Sequence, residues 1–195
     1  VYFHVALWAR GPHLYAGVSP EHAERIFREV IAQNDTAYAI INVCNIREHV
    51  IGIESSMRMM TRPEHFSSER FLKEFAGDYA PLYREYFSSF HAVPTTRVLQ
   101  DGCITLISME QKNGAWPQTK THAEEHKIAR MLRACAERFD AIADTIPADA
   151  SEFIRLNLGA QSRMMGFLYR YTAAIIESDL PAALKILDEY LDARR

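Results

Sequence analysis

Two short apolar runs, separated by one helix, decide the fold at the N-terminal end of this chain. They are Val1-Tyr2-Phe3-His4-Val5-Ala6-Leu7-Trp8, followed by the turn formers Gly11-Pro12, and Ala37-Tyr38-Ala39-Ile40-Ile41-Asn42-Val43. Their β-branched and aromatic residues predict two buried strands. Ser19-Pro20-Glu21 begins the helix between them, with serine as the N-cap, proline at the first position and an acid in the first turn. Strand, helix and strand in this order predict a crossover with two parallel strands.

The two predicted strands are too few for a sheet of their own, because parallel strands need cover on both faces. We therefore interpret residues 1–60 as the C-terminal βαβ part of a TIM-like β/α barrel. Val1 already lies inside an apolar run and is not an initiator methionine. We accordingly expect the chain to be a piece of a longer protein that supplies the other strands.

The rest of the chain is predicted to be helical. Apolar residues at helical spacing indicate helices over 48–60, 67–77, 78–90, 121–143 and 148–178 and a last one from residue 180. We expect Ser67 to cap the second of these, the fifth to bend near Gly159 or Gly166, and the last to pack Leu184, Leu187 and Leu191. A further strand is possible over 103–109. The predicted fold class is thus an α/β remnant followed by a mainly α helical bundle domain over 61–195.

Composition excludes several classes of protein. The 195 residues are 48% hydrophobic and 24% charged, which is typical of a soluble globular domain. With a net charge of −3 and no basic block, we expect no nucleic-acid partner. No apolar run approaches the ~20 residues of a membrane span, and no signal peptide is visible, so we expect no membrane partner and leave the compartment open between cytoplasmic and exported. The three cysteines form no CxxC pair, which argues against a disulfide scaffold or a thiolate zinc site.

His122-Ala123-Glu124-Glu125-His126 matches the H-x-x-E-H pattern of one group of zinc hydrolases. Histidines four residues apart share a helix face and can hold zinc beside a glutamate base. At ~100° per residue, however, His122 and His126 lie ~120° and ~160° from the apolar stripe centred on Ile128. We expect both to point into solvent, and no distant carboxylate such as Glu152, Glu177 or Glu189 stands out as a third ligand. The metal site is the weaker interpretation.

Polar side chains interrupt both predicted strands close to the ends where β/α barrels place their ligands. His4 lies between Phe3 and Val5, and Asn42 follows Ile41. Burying either side chain is costly unless it is hydrogen-bonded, and each alone can simply satisfy neighbouring backbone. Two such residues in consecutive parallel strands favour a polar pocket. In it His4 can donate to a hydroxyl or a carboxylate, and Asn42 can both donate and accept.

These strands carry a resemblance to a known family. Tyr2-Phe3-His4-Val5, the crossover helix and Ile41-Asn42-Val43-Cys44-Asn45 resemble the segment that closes the catalytic barrel of glycoside hydrolase family 115, the xylan α-1,2-glucuronidases. Residues 71–76, 82–87 and 153–171 resemble the helical domain that follows this barrel. The resemblance implies a hydrolase that removes (4-O-methyl)glucuronic acid side chains from glucuronoxylan with inversion, without a cofactor. Its partner is then a carbohydrate.

The resemblance also implies roles for single residues. Inversion needs one carboxylic acid and one carboxylate, and the family carries them mainly on earlier barrel segments, so we expect the catalytic pair upstream of Val1 and an inactive fragment. By position, His4 and Asn42 match a pocket histidine and asparagine that position the substrate, and Tyr2 belongs to the same motif. Leu7 stands where the family has a pocket tyrosine, a contact that Trp8 or Tyr15 can replace.

Two other functions stay open. The helices can form a non-catalytic binding or dimerisation module, with a homodimer formed through the helical domain. Alternatively, His122, Glu125 and His126 can belong to a zinc hydrolase.

Overall fold

The structure is a computed structural model that describes residues 1–6, 15–90 and 122–192, without the side chains of 122–125. Leu7, Trp8 and the candidate strand over 103–109 lie outside the described residues. The described residues divide into two compact units. The first is Val1–Phe87, and the second contains residues 88–90 and 122–192. A boundary at residue 60 between a barrel part and a helical domain stays a prediction, because packing inside one chain does not locate the end of a barrel.

The first unit contains the predicted strand-helix-strand crossover. Strand β1 (Tyr2–His4) and strand β2 (Ile40–Asn42) are parallel, with helix α1 (Pro20–Ala32) between them. The helix begins as predicted, because the Ser19 hydroxyl accepts a hydrogen bond from the backbone N–H of His22 at 3.1 Å. Within the described residues the sheet has only these two strands. The predicted parallel pairing is confirmed, whereas the barrel around these two strands stays a prediction.

The two faces of this small sheet differ. Phe3 is buried against α1, with 5.1 Å between its ring centroid and that of Phe27. Because side chains alternate along a strand, Tyr2 and His4 point to the opposite face, together with their partners Ile40 and Asn42. Tyr2 is 59% exposed and Ile40 54% exposed. The face away from α1 therefore presents apolar side chains that the described part of the chain does not cover.

Three helices complete the first unit, linked by single turns of 3₁₀-helix at Arg47–His49, Pro63–His65 and Gly77–Tyr79. They are α2 (Val50–Thr61), α3 (Ser68–Ala76) and α4 (Ala80–Phe90), whose last three residues belong to the second unit. Gly52 lets α2 approach the end of β1 closely, because a Cβ at this position would lie 2.8 Å from Cγ1 of Val5. A glycine inside α2 is thus required by packing.

Helix α1 also holds the start of α3. Ser67 was expected to cap α3, but its side chain makes no capping hydrogen bond. Instead a Glu24 carboxylate oxygen accepts from the backbone N–H of Ser68 at 2.9 Å, and Arg28 donates to the carbonyl of Phe66 at 3.0 Å. Burial raises the pKa of Glu24, but the hydrogen bonds from Ser68 and Arg28 outweigh this and hold it below its ordinary value. The cap of α3 therefore comes from another helix.

The second unit is helical throughout its described residues, which agrees with the predicted mainly α bundle. Helix α5 (His122–Thr145) packs along α7 (Gln161–Ile176), with Phe139 and Tyr169 in ring contact at 5.5 Å between centroids. The predicted single helix over 148–178 is interrupted at its start. It consists of α6 (Glu152–Ile154), a π-helical segment (Arg155–Ala160) that contains Gly159, and then α7. It begins late because the Ser151 hydroxyl caps it, accepting from the N–H of Ile154 at 3.3 Å.

Helix α8 (Leu180–Asp192) differs from its prediction. Leu184, Leu187 and Leu191 were expected to be packed, but they are 62%, 40% and 48% exposed. Ala183 is the buried side chain of this helix, and Tyr190 contacts Phe167 on α7 at 5.3 Å between ring centroids. The helix therefore docks along the side that carries Ala183 and Tyr190, which adjoins the leucine stripe. None of the helices in the described ranges has the length and apolarity to cross a membrane.

Candidate functional site

The structure brings His4 and Asn42 together at the carboxyl ends of the two strands. They are direct cross-strand partners, because β1 and β2 pair in the register His4 to Asn42. The side-chain nitrogen Nδ2 of Asn42 lies 3.0 Å from Nδ1 of His4 and 3.0 Å from the carbonyl oxygen of Ala6. Both side chains are half-buried. The two polar residues thus form one hydrogen-bonded pair.

This pair fixes the tautomer of the histidine. The carbonyl oxygen of Ala6 can only accept, so the Asn42 atom beside it must be the amide nitrogen. That nitrogen also faces Nδ1 of His4, which must then accept the second amide hydrogen. In the neutral ring the proton consequently lies on Nε2 of His4. Asn42 orients the imidazole and determines which of its nitrogens donates.

The same contacts leave two polar atoms available to a ligand. Both hydrogens of Asn42 Nδ2 are used inside the protein, so Asn42 offers its oxygen as an acceptor, a narrower role than the sequence predicted. Nε2 of His4 offers a donor. The Tyr2 ring lies beside the imidazole, at 4.4 Å between centroids and with 49° between the planes. One donor, one acceptor and an exposed ring on one sheet face suit a hydroxyl-bearing molecule with apolar C–H surface.

The first two carboxylates that follow β2 in the chain have arginine partners. Glu48 lies 3.5 Å from Arg47, and Glu54 pairs with Arg58 at 2.7 Å, so neither carboxylate is brought to His4 by an observed contact. Tyr15 is buried in the first unit. Trp8, predicted to contact the ligand, lies outside the described residues. The catalytic acid and base remain unassigned.

The histidine motif on α5 has a different environment from the predicted one. The side chains of His122 and Glu125 lie outside the described residues. Nδ1 of His126 lies 3.1 Å from Oε1 of Glu177, and Arg133 donates to the other carboxylate oxygen, Oε2. The hydrogen bond from Arg133 outweighs burial and holds the pKa of Glu177 below its ordinary value, and His126 adds to this. A guanidinium on the same carboxylate disfavours a metal there, and the described residues contain no cluster of three metal-binding side chains.

Two features of the first unit were not predicted from the sequence. One is the carbonyl of Ala6, whose acceptor role no residue pattern reveals. The other is a cavity of about 730 Å³ where α2 ends and α3 begins, with Arg58, Arg62 and Arg70 in its wall. Arg58 lies on the last turn of α2 and Arg62 directly follows the helix, so the meeting of these arginines with Arg70 depends on the turn between α2 and α3, which no residue pattern reveals.

A parallel βαβ unit with polar side chains at the carboxyl ends of its strands is the arrangement from which α/β enzymes and ligand-binding proteins build their sites. The comparisons with known proteins narrow this class. The model of glycosyl hydrolase family 115 matches residues 1–113, more than half of the chain and including both strands. The chain therefore belongs to glycosyl hydrolase family 115. Neither the curated proteins nor the solved structures contain a match to it.

Proposed function

We propose that this chain is part of an enzyme that removes (4-O-methyl)glucuronic acid side chains from glucuronoxylan by inverting hydrolysis. Membership of the family supports a glycosidase that acts on carbohydrate. The observation that carries the proposed substrate-binding site is the His4–Asn42 pair at the strand ends. In this reaction one carboxylic acid protonates the leaving oxygen while a carboxylate activates water. We assign neither group to this chain.

The sidedness of the sheet supports a β/α barrel around this pair. In such a barrel the helices pack outside and the opposite face of each strand points inward. Helix α1 packs on Phe3, so Tyr2, His4, Ile40 and Asn42 occupy the face that would point inward. The exposed Tyr2 and Ile40 are the kind of apolar side chains that fill a barrel interior. His4 and Asn42 lie one step further along, where barrel enzymes bind substrate.

Each residue of the pair then has a distinct task in substrate binding. His4 donates from Nε2 to a hydroxyl or to the carboxylate of the uronic acid. Asn42 holds His4 in that tautomer and accepts a sugar hydroxyl at its oxygen. Tyr2 covers the imidazole on the sheet face. These contacts orient the sugar ring for attack without taking part in proton transfer.

The test measures uronic acid release from glucuronoxylan by the full-length gene product and its His4→Ala variant. We expect the variant to lose about tenfold or more in kcat/KM, because it lacks the Nε2 donor. His126→Ala is the matched control, since this histidine lies in the other unit, and we expect it to keep the normal rate. Normal turnover by His4→Ala would remove the histidine from the pocket. Loss of turnover in His126→Ala would favour the zinc hydrolase instead.

A second candidate function is a binding or dimerisation module. Leu180, Leu184, Leu187 and Leu191 follow the spacing of a coiled-coil seam and are all at least 40% exposed in the described structure. A helix face of this kind is suited to pairing with a second copy of the chain. This role is compatible with glycan hydrolysis, and the oligomeric state of the chain tests it.

A further inference from the structure

The cavity at the junction of α2 and α3 is a second place in the first unit where a ligand can bind. Its volume of about 730 Å³ falls in the usual range for small-molecule sites, roughly 300–1,000 Å³. The wall contains three guanidinium groups, the imidazole of His65 and the hydroxyls of Thr61 and Ser67, against a single carboxylate, that of Glu74. The wall thus carries an excess of positive charge and of hydrogen-bond donors.

One arginine is the fixed part of this wall. Arg58 donates to Glu74 and to Glu54, each at 2.7 Å, and its guanidinium carbon lies 5.0 Å from the centroid of the Phe71 ring. The hydrogen bond to Glu74 raises the pKa of Arg58 further. Arg58 is thus held in place, and most of its charge is neutralised within the protein. Arg58 shapes the cavity, and its charge contributes little to the binding of a ligand.

The other two arginines are available to a ligand. Arg70 has only a loose ion pair, 3.8 Å from its Nε to Glu74, and its side chain is 59% exposed. Arg62 is exposed and makes no ion pair with any side chain in the part of the chain that is described. Guanidinium groups bind carboxylates through paired N–H donors. Two such groups on one cavity therefore favour an anionic ligand with planar carboxylate groups.

We propose that this cavity is a second, non-catalytic binding site for a carboxylate-bearing oligosaccharide. Arg62 and Arg70 bind a uronic acid carboxylate, and the hydroxyl of Ser67 binds a sugar hydroxyl. The Thr61 hydroxyl, which donates to the carbonyl of Met57 at 2.8 Å, accepts from a sugar hydroxyl. The saccharide class rests on the proposed function, whereas the preference for an anion rests on the arginines alone. The cavity is separate from the His4–Asn42 pair, because its wall contains no residue of either strand.

The test isolates this cavity from the strand-end pocket. The 195-residue chain carrying His4→Ala is titrated by calorimetry with a xylo-oligosaccharide that bears one 4-O-methylglucuronic acid. The same xylo-oligosaccharide without the side chain, and inorganic phosphate, are titrated in parallel. We expect the acidic oligosaccharide to bind about tenfold more tightly than the neutral one, with an affinity that falls as salt is added.

Arg62→Gln combined with Arg70→Gln should abolish that tenfold difference, whereas Arg25→Gln, an exposed arginine on α1, should preserve it. Equal binding of acidic and neutral oligosaccharides, or a difference that survives the double substitution, would overturn the proposal. Binding of phosphate as tightly as the acidic oligosaccharide would overturn its saccharide class. The outcome is independent of the catalytic proposal, because uronic acid release by the full-length His4→Ala protein is measured separately.

Discussion

At the scale of single residues, the most informative contact is the amide of Asn42 shared between His4 and Ala6. The backbone carbonyl fixes the orientation of the amide, and the amide fixes the ring nitrogen that donates. Asn42 therefore sets which nitrogen of His4 is left to donate to a ligand. Its effect should be visible in the histidine itself, without any substrate.

We predict that the neutral His4 ring in the 195-residue chain carries its proton on Nε2, and that Asn42→Asp moves it to Nδ1. The reason is that an aspartate oxygen can only accept from Nδ1, whereas the asparagine amide donates to it. The measurement is the pattern of ring-nitrogen chemical shifts by ¹⁵N NMR of histidine-labelled protein, with His4→Gln identifying the signal.

Asn157→Asp is the control, because this asparagine lies on the π-helical segment of the second unit and should leave the His4 signal unchanged. A wild-type ring protonated on Nδ1 would contradict the hydrogen-bond assignment. An unchanged tautomer in Asn42→Asp would show that Asn42 does not orient the ring.

Much of this residue pair could be predicted from the sequence. The ends of parallel strands meet at one sheet edge, so polar residues in equivalent positions of two consecutive strands are expected to be neighbours. The carbonyl of Ala6 could not be predicted, because it depends on how the backbone leaves β1 after His4. Side-chain patterns carry no information on that path.

At the scale of elements, α5 and the end of α7 are joined by the ion pairs of Glu177. This carboxylate accepts from Arg133 and His126, which lie about two turns apart on α5. Helical periodicity located the apolar stripe of α5 correctly, with Leu132, Cys135 and Phe139 buried. It could not show that a carboxylate more than forty residues away would be the partner of His126. Helical periodicity indicates which side of a helix is buried, but it does not identify the residues of other elements that contact the helix.

We predict that Glu177 contributes to stability at neutral pH and that this contribution is lost in acid. Its pKa is below the ordinary value of 4.5 in the folded chain, chiefly because Arg133 donates to it. The contribution is therefore complete above pH 4.5 and disappears as the pH falls through the lowered pKa. Glu177→Gln should cost about 1 kcal/mol at neutral pH, allowing for the partial exposure of Arg133.

The measurement is the free energy of unfolding by urea, followed by circular dichroism over a series of pH values. The gap between wild type and Glu177→Gln should be constant above pH 4.5 and close below it. Glu137→Gln, at an exposed position of α5, is the control and should run parallel to wild type. A gap that persists unchanged in acid would show that the charge of Glu177 is not the source of the effect.

At the scale of the whole molecule, the sequence predicted a crossover followed by helices, and both are present. It did not predict that the leucines of α8 would be exposed, because an apolar stripe predicts that a helix face is covered without identifying what covers it. The small Ala183, rather than the leucines, provides the face that α8 buries.

We predict that the chain forms a dimer and that Leu184→Glu shifts it to the monomer, because a buried charge in the pairing face is costly. Size-exclusion chromatography with light scattering measures the mass at several protein concentrations. Lys185→Gln makes the same change in net charge on another side of α8 and should remain dimeric. A wild-type chain that is monomeric at all concentrations would contradict the dimerisation module and leave glycan hydrolysis unaffected.

Helix α1 has a consequence that reaches beyond packing. Its Phe27 lies against the strand that carries His4, and its Glu24 and Arg28 hold the turn that forms a wall of the arginine-lined cavity. These three residues lie within about 6 Å along the axis of one continuous helix, so the same short stretch of α1 holds the strand and the wall of the cavity. Under the two proposals made above, the two places that bind the glycan are thereby held at a constant interval. A glycan would then be bound at both places only when its acidic branches recur at a matching spacing, so the proposed enzyme would respond to the pattern of decoration along the polymer as well as to the single branch it removes.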